Sequence, residues 1–171
     1  MITFRRRPLT VALAFATVAL AVAPGADAVA LPGAPTPADV CAMLSAVDVT
    51  TLLGKPAKPV PGTNDIVGSS CLWTGDRVAI GVTIETDPLL KAQGGKNGTV
   101  ASRFKMMEDE VAAKRAKAVP GVGDKAVWQS NMLWVMKGAK VALIFMSRKG
   151  MGPADDLPGA KAVAAKVLTK L

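Results

Sequence analysis

Lys125 to Arg148, KAVWQSNMLWVMKGAKVALIFMSR, decides the fold. It divides into three strand-like segments, Lys125–Gln129, Met132–Lys137 and Val141–Arg148. Lys137-Gly138-Ala139-Lys140 supplies the turn between the last two. Strands that follow one another through such short turns build an antiparallel sheet, and helices elsewhere in the chain must cover it.

Upstream, Val119-Pro120-Gly121-Val122-Gly123-Asp124 is a tight structural turn. Gly121 and Gly123 accept positive φ without steric cost, and Asp124 can bond nearby backbone amides. A ligand site at the same turn is the second reading. Before it, Thr99 to Lys117 reads as an amphipathic helix, with Val100, Phe104, Met107 and Val111 on one side. Asp87 to Gly98 reads as a loop. In Arg77 to Glu85, Val78, Ile80, Val82 and Ile84 alternate with smaller or polar residues, the pattern of a strand with one core face. Ile66 to Trp73 is a further strand, and Lys55 to Gly62 is a loop with three prolines. Two short helices open the domain. Thr36 and Asp39 flank Pro37 at the first start, Ser45 and Asp48 form a capping box at the second, and Gly54 stops it. At the other end, Gly150 to Pro158 reads as loop and Gly159 to Leu171 as a closing helix.

The expected architecture is therefore α+β, an antiparallel sheet of about five strands with helices packed on it, in the order α-α-β-β-α-β-β-β-α. A helix-then-strands order occurs twice, which hints at a duplicated half.

The N-terminus supplies an address. MITFRRR is a basic head, Leu9 to Ala23 is free of charge, and Ala26-Asp27-Ala28 has the small-x-small form of a signal-peptidase site. The apolar run is shorter than the ~20 residues a permanent membrane helix needs, which disfavours a retained anchor. Pro8 fits the general secretory route better than a twin-arginine signal. The expected organisation is a cleaved leader over 1–28, a lead-in over 29–35 and one domain over 36–171. Cleavage after Ala30 fits almost as well as after Ala28. The product is expected to be released into the periplasm, cell envelope or medium, touching a membrane only through the uncleaved leader.

The formal net charge of +8 over 171 residues shrinks when the leader leaves, but stays positive. That excess suits an anionic surface. Nucleic acid is not an expected partner of an exported chain. Cys41 and Cys71, thirty residues apart, are expected to pair as a structural disulfide. Closing that loop is worth about 3.5 kcal/mol in the chain-entropy account. The spacing excludes a CxxC redox centre.

The chain contains no histidine. Serine–histidine and cysteine–histidine catalysis are excluded, as are imidazole zinc sites. Ser102-Arg103-Phe104-Lys105 matches S-x-x-K without the companion motifs of penicillin-interacting enzymes. Gly94-Gly95-Lys96-Asn97-Gly98-Thr99 precedes a helix but lacks P-loop spacing, and it contains a formal glycosylation sequon. Met132, Trp134 and Met136 share one strand face, with Met146 on a neighbouring strand. Soft sulfur suits Cu(I), but such residues are ordinary core filler. Glu108-Asp109-Glu110 and Asp155-Asp156 resemble no calcium loop. No metal or cofactor is expected.

Several of these segments together resemble a family. Cys41-Ala42-Met43-Leu44-Ser45, continuing through Asp48-Val49 to Leu53-Gly54, is similar to a C-x-L-L-[ST]-x-x-[DE]-V…L-G opening. Cys71-Leu72-Trp73 is similar to C-x-[WY], and Val119 to Ala126 to V-P-G-x-G-D-x-A. The pattern resembles uncharacterised small secreted proteins and lipoproteins of the bacterial, mainly actinobacterial, cell envelope. That resemblance implies an α+β domain with a cystine tying the first helix to the first strand, and it implies no known reaction. A lipobox cysteine is missing, so release is expected in place of tethering.

The functional expectation is an exported, non-enzymatic protein binding a small ligand, a lipid or an envelope partner. Trp128, Met132, Trp134 and Met136 are the candidate ligand face. The alternatives are a small histidine-free hydrolase using Ser102 and Lys105, and a secreted protein inhibitor.

Overall fold

The computed structural model describes residues 33–64, 68–94 and 98–171. The leader and the start of the lead-in lie outside the described residues, as do the centre of the glycine-rich 94–99 segment and the sequon asparagine. The fold is α+β with a seven-stranded antiparallel sheet. In chain order its elements are α1 (Pro37–Cys41), α2 (Ala46–Leu53), β1 (Val60–Asn64), β2 (Gly68–Thr74), β3 (Val78–Thr86), α3 (Asp87–Gly94), α4 (Val100–Ala112), β4 (Lys117–Ala118), β5 (Lys125–Gln129), β6 (Met132–Lys137), β7 (Lys140–Arg148) and α5 (Pro153–Val167).

The sheet order is β1-β2-β3-β7-β6-β5-β4. Two meanders, β1–β3 and β4–β7, meet through their last strands. β3 and β7 pair over their whole length, from Val78 opposite Arg148 to Thr86 opposite Lys140. On the first face, Trp73, Ile80, Val82, Ile84, Leu133 and Ile144 form the main core with α1, α2 and α5. On the second face, Val127, Trp134, Val141 and Leu143 pack against Leu90 of α3 and Val100, Phe104 and Met107 of α4. The helices of the second meander therefore lie across the sheet from those of the first. A twofold axis normal to the sheet would exchange the meanders without exchanging their helices, so the repeated order is not a symmetric duplication.

The expected order and strand number need four corrections, each with a local cause. β1 forms within the proline-rich loop because it is an edge strand, where Pro61 is tolerated without its N–H. α3 occupies the start of the expected 87–98 loop. Asp87-Pro88 is a helix start, and the Asp87 carboxylate also accepts the Val100 N–H at 2.7 Å, joining the starts of α3 and α4. α4 stops at Ala112, well before Lys117, because Lys114 turns left-handed (φ 58°) and frees Lys117 and Ala118 to pair with β5. α5 begins at Pro153, where the Asp155 carboxylate accepts the Gly152 N–H at 3.1 Å. Pro158 is exposed within the first turns, where losing one helical hydrogen bond is tolerable.

The capping boxes at Thr36/Asp39 and Ser45/Asp48 are both formed. The Ser45 hydroxyl and the Lys166 amine hold the Asp48 carboxyl down to about 2, so α2 is pinned at its start and fastened to α5. Gly159 lets α5 lie close on β7, since a Cβ there would collide with Met146 and the Arg148 guanidinium.

Cys41 and Cys71 are joined, with Cα atoms 5.0 Å apart. The bridge runs from α1 to β2, the second strand, because β1 precedes it. Cys71 is buried beside Trp73 in the strand that α1 covers. Replacing both cysteines by serine should lower the unfolding free energy by about 2–5 kcal/mol, read as an earlier urea midpoint. An unchanged midpoint would show that packing alone holds α1.

Candidate functional site

A groove with a mostly apolar lining lies between α4 and the β4–β5 edge. Phe104 and Val111 descend from α4, Val119 and Val122 come from the β4–β5 connection, and Ala126 and Val127 come from β5. The cavity measures about 410 Å³. Glu108, Asp124 and Lys125 are its charged lining residues, and the Lys125 amine pairs with the Glu108 carboxylate at 2.6 Å. Phe104 and Val127 are buried, so one wall is part of the core.

The glycine turn forms the floor's far side, and its shape is fixed by backbone. Gly121 (φ 79°) faces open space, whereas a Cβ on Gly123 (φ 60°) would stand 2.5 Å from Val135 Cγ1 and 2.6 Å from the Met136 carbonyl oxygen. The Asp124 N–H donates to the Met136 carbonyl at 2.9 Å, and its carboxylate accepts the Gly138 N–H at 2.7 Å. Gly123 and Asp124 thus dock the turn onto the β6–β7 hairpin, while Gly121 contributes only its left-handed backbone. The structural role read from the sequence and the groove lining meet in one segment.

α4 itself is set by a charged anchor on its other side. The Arg103 guanidinium forks onto both oxygens of the Glu85 carboxylate at 3.2 Å and stacks on Trp134, 4.9 Å from the ring centroid. Glu85 is 1% exposed. Burial pushes its carboxyl above the ordinary glutamate value, and Arg103 pulls it back.

The candidate ligand face does not gather as expected. Met132, Trp134 and Met136 lie on the second face under α4, but Trp128 is buried on the first. Met146 is also on the first face. The signal was present in the two-residue turn Ser130-Asn131, which sets Gln129 opposite Met132 and Trp128 opposite Leu133. Directly opposed residues share a face, so Trp128 goes with Leu133.

Ser102 and Lys105 are both exposed and differently engaged. The Ser102 hydroxyl accepts the Thr99 N–H at 3.0 Å in the cap of α4, while the Lys105 amine pairs with Asp109. The acidic clusters are similarly dispersed. Glu108 holds Lys125, Asp109 holds Lys105 and Glu110 holds Arg115. Asp155 serves the α5 start, and Asp156 is buried 3.6 Å from the Arg148 guanidinium. Among the described residues no group of three histidine, cysteine, aspartate or glutamate side chains could hold a metal.

No family model matches the chain, and no curated protein or solved structure matches it.

Gly123→Ala should destabilise by about 2–4 kcal/mol, combining the left-handed backbone with a collision. Gly121→Ala should cost only the backbone part, about 1–2 kcal/mol. Equal urea midpoints for the two variants would refute the docking of this turn. A carboxyl raised in the folded state contributes stability below its unfolded value that is lost as pH rises through its folded value. Unfolding free energy should therefore fall as pH climbs from about 4 through the Glu85 titration, and Glu85→Gln should remove that fall. Parallel pH profiles would exclude Glu85 as its source.

Proposed function

We propose that this chain is an exported, non-enzymatic binding domain of the cell envelope, related to the small envelope proteins whose motifs it resembles, and that the α4–β5 groove takes a small, largely apolar ligand. The groove carries the reading. Its volume of about 410 Å³ lies in the range of small-molecule sites, ~300–1,000 Å³, and its lining is mostly apolar. Such a lining offers burial to a hydrocarbon or ring, and the Glu108–Lys125 pair offers hydrogen bonds to a polar head.

The export half of the proposal rests on the leader pattern, and the cystine suits an oxidising compartment. The non-enzymatic half rests on the absence of histidine and on the separate engagements of Ser102 and Lys105. A serine spent on a helix cap and a lysine spent on Asp109 do not favour a hydrolase.

Native mass spectrometry of protein purified from its own envelope fraction tests the proposal. The wild type should carry an apolar adduct. Ala118→Trp, at an exposed position in the groove lining, should lose that adduct and keep the wild-type melting temperature. Bare wild-type protein that also fails to enhance the fluorescence of 1-anilinonaphthalene-8-sulfonate would sink the ligand reading.

A further inference from the structure

The two layers of helices do not cover the sheet equally. α1 packs on β1, β2 and β3 from the first face, and α5 packs on β6 and β7 from the same face. α4 packs on β4 through β7 from the second face. Over β1 and β2 on that second face no described helix lies, and Leu72 stands there between the polar side chains of Ser70 and Thr74. One row crosses the strands in register: Val60 opposite Leu72, Leu72 opposite Gly81, Gly81 opposite Phe145, and Phe145 opposite Met132. Val60 is 57% exposed and Leu72 41%. Gly81 makes the row shallow, since a Cβ there would stand only 3.4 Å from Phe145.

Charge sits along one border of this row. At the end of the strands where β1 and β3 begin and β2 and β7 finish, Lys58, Arg77 and Lys149 are all exposed. The Lys149 N–H donates to the Arg77 carbonyl at 2.7 Å, so these two are adjacent. Among the described residues none of the three cations has a carboxylate partner, and the nearby Asp76 is occupied by Lys55. An exposed apolar strip edged by unpaired cations matches an interface whose interior is hydrocarbon and whose border is anionic.

We propose that the uncovered β1–β2–β3 face docks on an anionic phospholipid surface. Val60, Leu72 and Phe145 enter the headgroup boundary while Lys58, Arg77 and Lys149 meet the lipid phosphates. This surface lies apart from the α4–β5 groove, and it adds to the leader a membrane contact that survives cleavage.

The chain from Val29, which retains every described element, is suited to the test, because the apolar leader would itself bind lipid. It should co-sediment with vesicles containing phosphatidylglycerol and far less with phosphatidylcholine alone, and high salt should weaken the binding. Substituting Lys58→Gln, Arg77→Gln and Lys149→Gln together should lower partitioning roughly a hundredfold. Val60→Ser with Leu72→Ser should lower it roughly tenfold or more. All five positions are exposed, so melting temperatures should stay near that of the wild type. Equal binding to both vesicle types, or variants that bind like the wild type, would overturn the proposal. So would a dimer in analytical ultracentrifugation that Leu72→Ser dissolves while vesicles capture nothing, since the strip would then serve a second copy. Neither outcome would bear on the groove, whose adduct is read separately.

Discussion

The pairing of β3 with β7 is the contact on which the rest depends. It joins the last strands of two meanders that follow each other in the chain, and so turns two small ribbons into one sheet. Side by side, Ile80, Val82 and Ile84 face Met146, Ile144 and Ala142 across the seam, and one continuous core results. Every helix position then follows from which face of that seam it can reach.

The cystine and the Glu85–Arg103 fork do complementary work on the two faces. The first holds α1 on β2, where a five-residue helix has too few apolar contacts to hold itself. The second ties α4, which lies across β4 to β7, to the end of β3. A buried ion pair contributes little net stability, but it resists sliding because a shifted helix would leave a carboxylate stranded. Position, more than stability, is what the pair secures.

How much was legible in the sequence differs between elements for physical reasons. β5 and β6 fall on their expected residues, because short continuous apolar runs on either side of a two-residue turn determine them locally. The boxes at Thr36/Asp39 and Ser45/Asp48 are equally local, three residues apart. β1 was not legible, since a proline-rich strand is possible only at an edge, and edge status depends on the assembled sheet. The early end of α4 depends on Lys114 adopting a backbone conformation that lysine rarely takes. The groove was half legible. Phe104 and Val111 belong to the expected apolar side of a helix, and Gly121, Gly123 and Asp124 to the expected turn, but nothing in either segment says that they leave space between them. Glu85 lies at the far end of its strand from any obvious partner, and only the crossing of α4 brings Arg103 to it.

The edges of the sheet have a consequence for how the molecule meets its neighbours. β4 is two residues long, and β1 carries Pro61 as the second of its five residues. Neither offers the long row of free backbone donors and acceptors on which another strand could grow. The molecule is thereby protected from polymerising edge to edge when it is crowded. Whatever it associates with must approach through side chains, so its contacts can be tuned residue by residue without risking fibres.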